Sequence, residues 1–304
     1  MAESKNPLAD TVVNNIKVCD DAQKMRDIVT SLRAQGRKIG FVPTMGALHA
    51  GHLSLVEASR LETDITIVSI FVNPKQFSDP KDLERYPRTL FMDMALLSPL
   101  GVKVIFAPKQ DEVYPPGYST SVEVSGVTDR WEGEFRPGHF AGVATVVLKL
   151  FNMVQPDIAF FGQKDYQQTL VVQRMVKDLN VPVLIKICPT VRERDGLAMS
   201  SRNALLTAED RQQGLVLSRS LKLGSELFAA GERDAAKIRQ RMLALFKETP
   251  GVTVEYLALV DPDHMREVSH AQADSVAIIA ARVGSVRLID NCIVGERIPW
   301  TTNR

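Results

Sequence analysis

Met25, Ile28, Val29 and Leu32 recur at i, i+3, i+4 and i+7, which predicts an amphipathic helix across residues 20–35. Asp20 or Asp21 can cap its start and Gly36 its end. The short apolar run 39–42 predicts a strand that breaks at Pro43 and Gly46, and a helical pattern with Leu53, Val56 and Leu61 near one face follows. Residues 65–72 (ITIVSIFV) form a nearly continuous β-branched and aromatic run, as expected of a strand covered on both faces. The pattern continues with a helix at 91–100, a strand at 102–106, a short β-like piece at 121–124 and a helix at 143–154. A strand at 157–161, a helix through Leu170, Val171, Met175 and Val176, and a strand at 181–187 complete the series. This alternation predicts a doubly wound, Rossmann-like α/β domain with a parallel sheet over residues 1–188. Its first fifteen residues are polar and read as a loose extension.

The pattern changes after Pro189. Residues 190–206 are polar and irregular, with Asp195-Gly196 as a turn signal. Helices at 209–228 (Thr207 as cap) and 235–247 precede strands at 252–260, 276–283 and 286–289, with Gly284-Ser285 marking a hairpin. Residues 189–304 therefore form a smaller α+β domain.

A chain of 304 residues suits two such domains, and 45% hydrophobic with 24% charged residues is the composition of a soluble globular protein. A net charge of +1 gives no electrostatic case for nucleic acid or membrane partners, and no apolar run approaches the ~20 residues of a membrane helix. Cys19, Cys188 and Cys292 are odd in number and lack C-x-x-C spacing, which favours buried reduced thiols in a cytoplasmic protein.

Chemistry concentrates where the first strand turns into its helix, at Pro43-Thr44-Met45-Gly46-Ala47-Leu48-His49-Ala50-Gly51-His52. A strand, a glycine turn and a helix start make an anion site, because unpaired helix N–H groups point toward the turn. Imidazoles three residues apart can reach the same group, and Gly51 leaves room for a ligand near the backbone. A metal pair of the H-E-x-x-H kind would carry a carboxylate between histidines four apart, whereas Ala50 and Gly51 stand here and the next carboxylate is Glu57. His49-x-Gly51-His52 resembles the HxGH signature of nucleotidylyltransferases and class I aminoacyl-tRNA synthetases. Neither G-x-G-x-x-G nor G-x-x-x-x-G-K-[ST] occurs.

Three further polar clusters, 73–76, 162–168 and 199–202, fall at strand ends or helix starts. Taken singly, each reads more readily as a solvated loop or a cap. Together they supply what an ATP-using site needs. Lys164 and Arg202 can neutralise charge on pyrophosphate, and Ser200 and Ser201 can donate to phosphate oxygens. The amides of Gln76 and Gln168 can hold a small polar acid, while Asp165 suits a ribose hydroxyl or the orientation of Lys164. The charged, proline-broken stretch 78–88 is either a flap over this region or a plain surface loop.

PTMGALHAGH, NPKQF, GHFAGVATVVLKLFNMVQPDIAFFGQKDYQQ and DGLAMSSRN, in this order and spacing, resemble the pantoate–β-alanine ligase family. The resemblance implies ATP-dependent adenylation of the pantoate carboxylate, then attack by the amine of β-alanine with loss of AMP. It implies that Met45, Gly46, Ala47, Leu48, His49, Ala50, Gly51 and His52 line the ATP site, with His52 matching a proton donor. Gly162, Gln163, Lys164, Asp165 and Val191 would also hold ATP. Gln76 and Gln168 match pantoate-binding glutamines, and Gln76 would serve β-alanine as well. Met199, Ser200, Ser201 and Arg202 match the KMSKS loop, but Ala198 stands where its first lysine would be. Charge stabilisation would then fall to His49, His52, Lys164 and Arg202. The resemblance further implies Mg2+ accompanying ATP, with Asp93 as a nearby carboxylate, a second domain covering the ATP site, and a homodimer. A transferase that leaves AMP on a phosphate ester, or a non-catalytic nucleotide-binding module, are the alternatives; the first leaves the two glutamines unexplained and the second leaves the retained His, Lys, Ser and Arg groups unexplained.

Overall fold

The computed structural model describes residues 12–13, 15–298 and 300. The chain divides into two compact units, one of residues 1–162 and 168–188, the other of 163–167 and 189–304.

In the first unit, β1 (Val12–Val13), β2 (Ile16–Cys19), α1 (Ala22–Ala34), β3 (Ile39–Thr44), α2 (Ala50–Glu62) and β4 (Ile65–Ile70) come first. They are followed by α3 (Pro80–Arg85), α4 (Leu90–Leu97), β5 (Val104–Phe106), α5 (Gln110–Val113), α6 (Glu132–Phe135) and α7 (His139–Val154). β6 (Ile158–Gly162), α8 (Tyr166–Asp178) and β7 (Leu184–Cys188) close the series, with the first two residues of α8 grouped in the other unit. The sheet order is β1-β2-β5-β4-β3-β6-β7, with β1 antiparallel to β2 and the other six strands parallel. From β3 the chain winds outward through β4 and β5, then returns to the other side of β3 for β6 and β7. The crevice at such a reversal, beyond the carboxyl ends of β3 and β6, is where open α/β sheets bind ligands.

Strand alternation builds the two faces. Ile39, Phe41 and Ile67 enter a core with Met25 and Val29 of α1 and Val143, Val147 and Phe151 of α7. Val42 and Val68 enter the opposite core with Leu55 and Val56 of α2 and Met94 and Leu97 of α4. Phe41 is fully buried, edge-on to Phe151 at 6.3 Å between ring centroids.

Several boundaries differ from the sequence reading. The expected loose extension over 1–15 lies mostly outside the described residues, but Val12 and Val13 form a strand. Residues 16–19 form a sheet strand beside β5, where the two-residue alternation was too short to signal one. α7 begins at His139 rather than at residue 143, because Gly138 takes a left-handed backbone that lets the polar loop enter the helix earlier. Residues 121–124 are not a strand; the Val122 N–H donates to the Thr145 hydroxyl of α7 at 2.9 Å instead of to a neighbouring strand. The charged stretch 78–88 contains α3, whose side chains are all at least partly exposed.

In the second unit, α9 (Ala208–Ala229) and α10 (Ala235–Lys247) accompany β8 (Val252–Val260), β9 (Val276–Val283) and β10 (Val286–Ile293) in an antiparallel sheet ordered β10-β9-β8. Thr207 caps α9 by accepting from the Asp210 N–H at 3.1 Å. Val283 pairs with Val286 across the two-residue Gly284-Ser285 turn. Leu217, Ile238, Met242 and Ile279 centre its core. Gln163–Gln167, which the sequence reading assigns to the first domain, belongs to this unit. No helix among the described residues is long and apolar enough to cross a membrane.

Phe41→Ala is expected to lower unfolding stability by about 3–5 kcal/mol through transfer and cavity terms. A reduced urea midpoint with an unchanged m-value would register it.

Candidate active site

The turn leaving β3 is shaped by two left-handed residues, Gly46 (φ 82°) and Ala47 (φ 51°). Ala47 carries a steric penalty there that glycine would avoid, so something must hold it. Asp93 of α4 does so. Its carboxylate accepts from the Ala47 N–H at 3.2 Å and the Leu48 N–H at 2.8 Å, and from the Thr89 hydroxyl at 3.3 Å. The side chain is buried, and desolvation pushes its carboxyl above the usual carboxylate range although the backbone hydrogen bonds pull the other way. Both oxygens are thus committed to the turn and its helix. Asp93, expected from the sequence as a carboxylate near Mg2+, anchors this turn. Among the described residues no group of three His, Cys, Asp or Glu side chains is arranged to hold a metal ion.

The anchored turn delivers His49 to the N-cap of α2. The Gly51 N–H donates to His49 Nδ1 at 3.2 Å, and the His49 N–H donates to His52 Nδ1 at 3.4 Å. This is a capping box built from two imidazoles, whose ring centroids lie 4.1 Å apart. Because each Nδ1 accepts, the neutral rings carry their proton on Nε2. Met45, Gly46, Ala47, Leu48, Ala50 and Gly51 are the backbone of this one turn and helix start.

A second loop follows β4. Asn73 is buried and uses its whole amide: Oδ1 accepts from the Lys75 N–H and from the Tyr114 hydroxyl at 2.8 Å, while Nδ2 donates to Gln76 Oε1 at 3.0 Å and to the Gly142 carbonyl at 3.1 Å. Gln76 is thereby oriented with its amide nitrogen 3.2 Å from Met45 Sδ, which joins this loop to the histidine turn. His139 Nδ1 and Arg136 donate to the Gln76 carbonyl at 2.8 and 3.3 Å. Gln168 lies half-buried in the first turn of α8, and Gly162 ends β6.

The remaining expected residues lie in the second unit. Lys164 Nζ stands 3.6 Å from Asp165 in a 3-10 turn over Gln163–Asp165. Val191 accepts the Met199 N–H at 3.0 Å, closing a small hairpin in which Arg192 bridges to Ala198. Ser200 caps the next 3-10 turn, Ser201–Leu205, by accepting from the Arg202 N–H at 3.2 Å.

The family model of pantoate-beta-alanine ligase matches residues 17–293. The chain belongs to the pantoate-beta-alanine ligase family. It is 51% identical over 270 residues to the pantothenate synthetase of Moorella thermoacetica, covering 89% of this chain and 95% of that one. The crystal structure of pantothenate synthetase from Thermus thermophilus superposes with a TM-score of 0.88 at 45% identity, covering 92% of this chain and all (100%) of the other. A pantoate-beta-alanine ligase from Francisella tularensis, solved with β-γ ATP and β-alanine, gives a TM-score of 0.77 at 35% identity over 93% of this chain and 99% of that one. The ligase fold, a six-stranded parallel sheet plus a small antiparallel sheet, is therefore shared across near-complete chains.

Some residues that shape this ligase's site were given no role from the sequence. Tyr114 stands outside the motifs, and only its contact with Asn73 reveals a role. Gly142 lies inside the GHFAGV motif, but only the structure shows why it is needed. A Cβ there would meet the Lys75 carbonyl oxygen at 2.3 Å and the Gln76 nitrogen at 2.8 Å, so the loop can rest on α7 only because residue 142 has no side chain. Gly142→Ala is expected to lower Tm, although alanine is favoured by about 1 kcal/mol inside a helix. It should also raise the KM for pantoate about tenfold by displacing Gln76. Steady-state kinetics with pantoate varied, beside thermal unfolding, measure both.

Proposed function

We infer that this ligase joins pantoate to β-alanine in two ATP-dependent steps, with its residues dividing the work as follows. In the first step a carboxylate oxygen of pantoate attacks the α-phosphorus of ATP, the bond to the β-phosphate oxygen breaks, and pyrophosphate leaves. In the second, the amine of β-alanine attacks the acyl carbon, AMP leaves with the bonding electron pair, and the amine loses a proton. Adenylation is needed because a free carboxylate is a poor electrophile.

The imidazole capping box carries the assignment of the histidines. With both Nδ1 atoms accepting backbone N–H groups, His49 and His52 present Nε2–H donors beside the positive end of α2. Charge developing on five-coordinate phosphorus is what such preorganised donors stabilise. This supports hydrogen-bond donation by neutral His52 over full proton transfer, since a proton on Nδ1 would face the His49 N–H. Lys164 and Arg202 supply the formal charge for departing pyrophosphate, with the hydroxyls of Ser200 and Ser201 and the backbone of Gly162, Gln163, Asp165, Val191 and Met199 holding ATP. Gln76, oriented by Asn73, and Gln168 hold pantoate; Gln76 also meets β-alanine. Holding carboxylate and α-phosphorus in line replaces a bimolecular encounter with a positioned one. Magnesium accompanying ATP would supply further positive charge against the phosphates and would need no carboxylate cage from the protein. The three buried cysteines, none of them in a disulfide, accord with a reducing, cytoplasmic setting, and a homodimer is the assembly we propose.

The test is pyrophosphate release from ATP with pantoate alone, repeated with β-alanine. Release with pantoate, with AMP and pantothenate formed only when β-alanine is present, is the expected outcome; no release with pantoate would overturn the reading. His52→Ala should slow the first step by about 10²–10³, the usual loss of one preorganised donor.

A further inference from the structure

The second unit contains a polar network that none of the motifs predicts. Its centre is Arg192, buried in the hairpin that precedes the Ser200–Arg202 turn. Its guanidinium donates to both oxygens of Asp290 on β10, at 2.7 and 3.0 Å, and to the Gly196 carbonyl at 3.1 Å. Both side chains of this pair are at most 2% exposed. Buried ion pairs of this fork-to-fork geometry fix orientation as well as position.

The next residue on β10 points the other way, as strand alternation requires. Asn291 is 4% exposed and places its amide nitrogen 3.0 Å from the Gln163 carbonyl and 2.7 Å from the Lys164 carbonyl. Two acceptors on one side fix which end of the amide faces them. Both N–H donors of a single side chain are thus committed to the backbone that carries Lys164. Across the hairpin, Glu193 accepts from Asn203 at 2.7 Å and from Arg211 at 2.9 Å, and Asn203 also donates to the Ala198 carbonyl at 3.0 Å. Successive residues 192 and 193 therefore tie the hairpin to β10 on one side and to the Ser201–Leu205 turn on the other.

We propose that Asn291 is a positioning residue for Lys164, and that the Arg192–Asp290 pair locks it to the hairpin carrying Ser200 to Arg202. One frame then sets both cations that handle the pyrophosphate charge. A loop of three residues in a 3-10 turn has little stiffness of its own, so the placement of the Lys164 ammonium is inherited from the two carbonyls that Asn291 grips. The inference rests on the role given to Lys164 above. It makes Asn291 matter for the step that expels pyrophosphate and not for the step in which pyrophosphate is already gone.

A double-mutant cycle with Asn291→Leu, which keeps size and removes both donors, and Lys164→Met separates these ideas. Asn291→Leu should slow single-turnover pyrophosphate release at least about tenfold when Lys164 is present, as misplacement of a charge-stabilising group does. In the Lys164→Met background the same change should cost less than roughly threefold, because the group being positioned is absent. Attack of β-alanine on preformed pantoyl adenylate should stay within the same roughly threefold margin. An equal loss in both backgrounds, or an equal loss in both half-reactions, would overturn the proposal, since a merely structural lesion behaves that way. If Lys164→Met alone released pyrophosphate at the wild-type rate, the role given to Lys164 would fall instead. Asn291→Ser carries the same cycle with the same criteria if Asn291→Leu does not fold.

Discussion

The turn between β3 and α2 must reverse the chain over residues 45–49 and still deliver a capped helix, and one buried carboxylate makes that possible. Asp93 accepts the N–H groups of Ala47 and Leu48 and so stabilises a left-handed alanine that sterics disfavour. The desolvation that raises its pKa is the cost of this arrangement. Everything downstream inherits the geometry. His49 becomes an N-cap, His52 becomes its reciprocal partner, and Met45 is left beside the Gln76 amide. One ring nitrogen of each imidazole thus serves the start of the helix.

The second organising constraint is that buried polar groups need partners. Asn73 meets it with its whole carboxamide, whereas Asn291 commits its amide nitrogen and leaves its buried Oδ1 without a partner among the described residues. Each stands next to a segment that the sequence motifs single out. Loops of this kind lack the ladder bonds of a sheet or helix, so a single buried amide can supply much of their definition.

How far the sequence reveals this depends on whether a side chain's partner is local. Phe41, Ile67 and Val68 were legible as strand residues because periodicity is a local signal. The Thr207 and Asp21 caps were legible for the same reason, their acceptors lying three residues from the N–H they serve. β10 shows the opposite case. The apolar pattern stops at Ile289, yet the strand runs to Ile293 because Asp290 and Asn291 find partners about a hundred residues or more away in Arg192 and in the 163–164 carbonyls. Two adjacent polar residues inside an apolar strand were the signal available, and only tertiary structure explains them. Asp93 illustrates a further limit: its hydrogen bonds to Ala47 and Leu48 span more than forty residues and leave no local signal. The candidate site residues came chiefly from the motifs.

Gln163–Gln167 interrupts the first unit's sequence and packs with the second, where Asn291 holds its carbonyls and Tyr166 donates to the Pro262 carbonyl at 3.1 Å. The polypeptide therefore crosses between its two units three times, not once. A chimera joined only at the Cys188–Pro189 bond would import a foreign segment into the very place that Asn291 and Pro262 were shaped to receive. Segment exchange in this chain thus carries a hidden linkage: residues near position 165 and residues near 262 and 291, far apart in sequence, travel well only as a set.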